Sequence, residues 1–193
     1  MAVRKIHIWP DPVLHETANP VAQFGRQTID LIRDLFDTMY AANGVGLAAT
    51  QIGVRDRVLV IDLDPKASAA NDEEVKAELE SWGFREPMAF VNPEIVSSEG
   101  EIFWEEGCLS VPRVTEKIKR REWVEVRALD ARGNEFVLQA TGLFAVAIQH
   151  EIDHLEGRVF VDYLSKLKRD VIKLKMERLK IEADDDGVKA AVL

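Results

Sequence analysis

The stretch Gln149-His150-Glu151-Ile152-Asp153-His154-Leu155-Glu156-Gly157 carries the residues best placed to do chemistry. Two imidazoles four residues apart on a helix leave the same face and meet at one spot, which suits a metal ion. In the pattern His-Glu-x-x-His the glutamate projects beside the ion, within reach of a water on it. Glu151 is therefore the candidate general base. A histidine on an apolar helix is more often a satisfied core residue, yet two of the only four histidines in the chain fall at this spacing around a glutamate. Two histidines leave a divalent ion short of a third protein ligand, and a catalytic site keeps one further position for water or substrate. The single cysteine, Cys108, stands in a turn with Gly107 after a strand-like run, where the backbone can bend its sulfur toward the helix. A free cysteine commonly only packs. Here the ion needs a soft or imidazole ligand, and neither His7 nor His15 has a motif around it, so both are expected to be non-ligands.

These residues need elements to hold them. Leu143 to Ile148, apolar throughout, runs into the histidine motif and gives with it about four helical turns, opened by Gly142 and closed by Gly157. From Gln27 to Ala42, the apolar residues Ile29, Leu31, Ile32, Leu35, Phe36, Met39 and Tyr40 recur at helical spacing, predicting a first amphipathic helix. It leads into Asn43-Gly44-Val45-Gly46-Leu47-Ala48-Ala49-Thr50-Gln51, whose small residues admit a close neighbour. A helix cap with a tight turn explains that composition equally well. Strands are expected at Arg57–Asp62 and Ala89–Val96, and at Trp123–Leu129 and Glu135–Ala140 as a hairpin across Asp130–Asn134. Ile6-His7-Ile8-Trp9 with Pro10 and Pro12 reads as an extended arm, and Arg158–Leu164 as an extended return. Residues 64–87, polar and acid-rich, read as a surface insertion with a short helix at Asp72–Trp82. Ser165 can cap a last helix through about Glu182, basic through Lys166, Lys168, Arg169, Lys173, Lys175, Arg178 and Lys180. The tail 183–193 reads as disordered. The organisation is thus one catalytic domain over 1–165, a basic helix over 166–182 and a tail.

The composition, 193 residues with 47% hydrophobic, fits one core of ordinary size. No apolar run approaches the ~20 residues that span a bilayer, and no secretory layout opens the chain, so a cytoplasmic protein without membrane contact is expected. One cysteine excludes an internal disulfide. A net charge of −9 argues against an extended nucleic-acid surface, and DNA is not an expected partner.

Three ordered motifs make a resemblance specific. Gly44-Val45-Gly46-Leu47-Ala48-Ala49-Thr50-Gln51, Glu106-Gly107-Cys108-Leu109-Ser110 and Gln149-His150-Glu151-Ile152-Asp153-His154 resemble the signatures of peptide deformylase, supported by Pro10–Leu14 and Phe160–Ser165. The resemblance implies removal of the formyl group from the formyl-methionine of nascent polypeptides, releasing formate. It implies Cys108, His150 and His154 as ligands of Fe2+, with Zn2+, Ni2+ or Co2+ as alternative occupants. Gln51 and the backbone N–H of Leu109 would stabilise the oxyanion. Gly46 would let an extended peptide pair alongside. The methionine would enter a pocket of Val45, Trp104, Leu143, Val146 and Ala147 above His150, with Glu106 and Gly107 also on the substrate side. Arg113 stands where many members carry glycine, and the 64–87 insertion is longer than is common. The fold implied is α+β, with short antiparallel strands around the histidine helix and the first and last helices outside. The basic last helix would dock on the ribosome near the nascent-chain exit. The competing reading is a His-Glu-x-x-His peptidase cleaving internal bonds, which needs a third ligand downstream. A binding module with a structural metal would need a fourth.

Overall fold

The computed structural model describes residues 2–63, 77, 78, 80–84 and 86–185, with side chains to Leu179 in the last helix. Its elements run α1 (Arg26–Ala41), β1 (Gly46–Ala48), β2 (Val58–Ile61), β3 (Met88–Glu99), β4 (Ile102–Cys108), β5 (Val111–Arg120), β6 (Trp123–Leu129), β7 (Glu135–Ala140), α2 (Gly142–Leu155) and α3 (Lys166–Asp185). The α+β reading holds. An antiparallel sheet in the order β1-β2-β3-β6-β7 stands beside a separate β4-β5 pair.

Strand β2 shows why helices cover both faces of the larger sheet. Successive side chains alternate: Leu59 and Ile61 join Phe90, Val124 and Val126 against Phe144, Ile148, Ile152 and Leu155 of α2. Val58 and Val60 point the other way, onto Leu31, Ile32, Leu35 and Met39 of α1. The histidine helix is therefore buried along nearly its whole length, and packing rather than a charged terminus fixes it. A third apolar cluster joins Trp9, Leu14, Val111 and Ile118 to Ile172 and Met176, seating α3 on the back of β5.

Helix ends follow the expected chemistry. At the end of α1, Asn43 takes φ 54, and Asn43 N–H and Gly44 N–H donate to Tyr40 and Met39 carbonyls at 3.1 and 2.9 Å. At the end of α2, Gly157 takes φ 71, and Gly157 and Arg158 N–H donate to His154 and Asp153 carbonyls at 3.1 and 2.8 Å. Both are left-handed caps that satisfy the final carbonyls. At the start of α3, Ser165 Oγ accepts from Lys168 N–H at 3.4 Å, as a cap should.

Several expectations need correction. The arm at Ile6–Pro12 is not a plain extended segment: Trp9-Pro10 is cis, and Pro12–His15 coil into a 3-10 turn capped by Asp11. The return after α2 likewise coils at Phe160–Tyr163. Strand β5 was not expected over its length, because its outward face is polar and its inward face mixes Glu116 and Arg120 with Val114 and Ile118. The 64–87 segment is not wholly superficial, since Phe84 is buried against Phe144, 5.3 Å between ring centroids. The expected helix at Asp72–Trp82 lies partly outside the described residues, though 77, 78, 80 and 81 are helical. Helix α3 continues to Asp185, and the rest of the predicted tail lies outside the described residues.

Candidate active site

Two histidines of α2 and one cysteine at the tip of the β4-β5 hairpin converge. Cys108 Sγ lies 3.2 Å from His154 Nε2, and one ligand atom each from Cys108, His150 and His154 fall within 4.8 Å of one another. The donors are a sulfur and two imidazoles, the set that suits a soft or borderline divalent ion with an open position, so the residues fit such a group. His7 and His15 stand elsewhere: His7 Nδ1 pairs with Asp11 at 2.8 Å and His15 Nδ1 with the Gly157 carbonyl at 3.1 Å.

Behind the histidines runs a chain of buried charges that the sequence did not reveal. His150 Nδ1 meets Glu106 Oε2 at 2.8 Å. Arg120 clamps the same carboxylate through Nε and Nη2 at 2.6 and 2.9 Å, and reaches Asp153 Oδ2 with Nη1 at 2.6 Å. Arg158 and Tyr163 complete Asp153, with Tyr163 Oη donating at 2.8 Å. A carboxylate on one ring nitrogen fixes the tautomer and turns the other nitrogen toward the cavity. Burial works against the charged form of Glu106, but Arg120 and His150 outweigh it and hold its carboxyl below the usual range. Burial likewise opposes charge on His150, yet the Cys108 sulfur and Glu106 hold it well above its ordinary value. Burial and the neighbouring positive charge hold His154 well below, so its ring stays neutral.

Glu151 is 5% exposed. Burial raises its pKa to about 7, with His150 pulling the other way. One of its oxygens has no partner among the described residues. The reason for the small residues at 44–46 now appears. A Cβ on Gly46 would lie 2.5 Å from Glu151 Oε1, and a Cβ on Gly44 2.7 Å from Leu109 Cδ1. The two glycines admit the glutamate and the leucine of the chain itself, whereas the resemblance had implied a peptide alongside Gly46. Among the described residues, strand β1 is also an edge strand, paired on one side only with β2.

Gln51 is buried too, at 1% exposure. Its side-chain carbonyl accepts from Ala48 N–H at 2.9 Å, so its amide nitrogen faces Ser110 Oγ at 3.1 Å and Cys108 Sγ at 3.6 Å. Ser110 N–H also donates to Cys108 Sγ at 3.4 Å. The Leu109 backbone N–H, between them, makes no hydrogen bond to another described residue.

Gln51, Cys108, Leu109, His150 and Glu151 border one cavity of about 560 Å³. Val45, Trp104, Leu143, Val146 and Ala147 supply an apolar wall, with Gly46, Gly107 and His150 beside it. Glu106 also borders it, but both its oxygens are taken by Arg120 and His150, so its atoms serve the histidine. The sequence reading missed Arg120, Asn43, Ser110 and Leu179. Arg120 and Ser110 sit on one hairpin, and Asn43 and Leu179 come from distant parts of the chain.

An α+β fold that turns two helix histidines, a hairpin sulfur and a buried glutamate toward one partly apolar cavity defines a hydrolase of the metal-dependent class. Comparison with known proteins narrows the class. The sequence model of the family described as polypeptide deformylase matches residues 3–170, and this chain belongs to that family. It is 46% identical over 179 residues to the peptide deformylase of Alkalilimnicola ehrlichii, covering 93% of this chain and 92% of the relative. To peptide deformylase 1 of Burkholderia multivorans it is 48% identical over 180 residues, covering 93% and 90%. Among solved structures, the Legionella pneumophila peptide deformylase superposes with a TM-score of 0.82 at 45% identity, covering 95% of this chain and 98% of that one. That of Ehrlichia chaffeensis in complex with actinonin gives 0.81 at 38% identity, covering 92% and 98%.

Proposed function

We propose that this chain removes the formyl group from the N-terminal formyl-methionine of nascent polypeptides, releasing formate and a free amine. The observation that carries the reading is that Cys108 and His150, which cluster with His154, Glu151 with its unpartnered oxygen and Leu109 with its unpaired N–H all line a single cavity with an apolar wall. Cys108, His150 and His154 would hold a divalent ion, Fe2+ by the family likeness, which when bound would supply Lewis acidity for ionising water near neutral pH.

The chain's own residues do the rest. A formamide resists water because amide resonance must be broken, so the attacking water needs its proton removed as it adds. Glu151 takes that proton and later returns one to the departing amine. Its burial keeps the carboxyl close to neutral pH in basicity, useful for moving a proton in both directions. The Gln51 amide and Leu109 N–H donate to the developing oxyanion, and both are in place before charge appears, which spares reorganisation. The methionine side chain fills the wall of Val45, Trp104, Leu143, Val146 and Ala147, and the peptide pairs along the open edge of β1 at Gly46. The Glu106-Arg120-Asp153 chain keeps His150 aimed.

The test is formate release from a formyl-Met-Ala-Ser peptide beside internal cleavage of an unblocked peptide. Glu151→Ala should keep its metal by elemental analysis while turnover falls by about 10²–10⁴-fold; normal turnover would remove Glu151 from the base role. Cleavage of the unblocked peptide with no formate would restore the peptidase reading, which the family does not favour.

The finer setting is part of the same proposal. No helix among the described residues is long and apolar enough to cross a membrane, and the cytoplasm is where nascent chains are made. The basic α3 is the surface for docking on the ribosome near the nascent-chain exit. Its lysines are partly tied down, Lys168 to Glu116 at 2.6 Å and Lys166 to Asp170 at 2.9 Å, which leaves Lys173 and Arg178 as the freer cations of the described stripe. Co-sedimentation with ribosomes should weaken with added salt. Binding that ignores salt, or survives deletion of residues 166–193, would count against it.

A further inference from the structure

Arg113 combines three observations that the proposed deformylation does not use. It borders the mouth of the cavity, beside Pro112, Val114 and Thr115. Its backbone sits at φ 60, a left-handed conformation that a long side chain rarely adopts and glycine adopts freely. Its guanidinium, exposed, makes no hydrogen bond or ion pair among the described residues. Strained backbone held at a binding cleft is where structure tends to serve function. The strain is supported from α3: Lys175 Nζ donates to the Arg113 carbonyl, and Leu179 of the same helix also borders the cavity.

We propose that Arg113 is a specificity-determining residue, reading acidic side chains at the second or third position of the formylated peptide. The inference rests on the deformylase reading of this site. A peptide leaving the apolar wall along β1 must pass the solvent side of the cavity, where the exposed charged side chains among its lining residues are Glu105 and Arg113. Glu105 is occupied, accepting from Thr115 Oγ1 at 2.9 Å. Arg113 is the cation left to meet a carboxylate, and its planar fork takes one bidentately. Helix α3 fixes the backbone from which the fork reaches out, so the last helix takes part in substrate choice.

The experiment measures kcat/KM for formyl-Met-Glu-Ser, formyl-Met-Ser-Glu and their Lys counterparts, each divided by the value for neutral formyl-Met-Ala-Ser. With an exposed ion pair the acidic peptides should lead the basic ones about fivefold at low salt, shrinking toward parity near 1 M salt. Arg113→Gly should erase the ratio and Arg113→Glu invert it, while Arg113→Lys should keep part of it. Equal acidic and basic rates in the unaltered enzyme, or a ratio that survives Arg113→Gly, would overturn the assignment. Absence of formate from the neutral peptide would instead defeat the underlying reading.

Discussion

At the cavity, Gly44 and Gly46 make room for Leu109 and Glu151. Gly46 is the sharpest case, because a methyl at that position must displace the Glu151 carboxylate from the place where it meets the cavity. Gly46→Ala should therefore fold with a normal melting temperature yet lose at least about tenfold in kcat/KM, since small displacements of a catalytic group are costly; full activity would show that Glu151 has room to move. Glu106→Gln tests the support behind His150. It keeps the shape but removes the charge that orients the ring, so metal retention after dialysis should drop by about 10–100-fold in affinity. At this scale the histidine motif was legible, because its ligands lie one helical turn apart and the spacing itself states the geometry. Arg120 was not: its partners are 14 and 33 residues away, and only the pairing of β4 with β5 and their packing on α2 bring them together.

Between residues and molecule, elements formed where local pattern and burial agreed. Helix α1 and the β6-β7 hairpin begin and end within a residue or so of the periodicity that predicted them. Strand β5 hid because its inward face carries Glu116 and Arg120 beside Val114 and Ile118, which breaks the apolar alternation that a strand with one wet face usually shows. The link from α1 to the sheet offers a measurable contribution. Tyr40 Oη donates to Asp62 Oδ2 at 2.8 Å, and burial, then Asp62, holds the phenol above its ordinary ionisation range. The unfolded chain then sheds this proton first, so the group's stabilisation is complete below about pH 10 and is lost as pH climbs beyond it. Tyr40→Phe should cost about 1 kcal/mol in urea unfolding at neutral pH and make the alkaline decline shallower; an unchanged decline would show that the hydrogen bond does not couple to stability.

For the molecule as a whole, the larger sheet with its two helices forms one body, and the β4-β5 ribbon with α3 forms its flank, meeting it at the cavity. The family resemblance foresaw this arrangement in outline, while the burial of Phe84 against Phe144 could not be seen from composition. Because any ion bound by Cys108, His150 and His154 would favour the folded state by mass action, chelation should lower the melting temperature by several degrees, reversed on adding the metal back. A melting curve indifferent to chelator would mean that the cluster holds no ion in solution.

The cysteine that reaches those histidines sits on the ribbon, and the histidines sit on the buried helix. Occupancy would thus rivet flank to body through a single sulfur atom. Oxidising that atom should not merely silence the chemistry: it should unlatch the turn at residues 108–111, open the peptide's own channel, and show up as new cutting by a protease in a loop that the intact enzyme keeps out of reach.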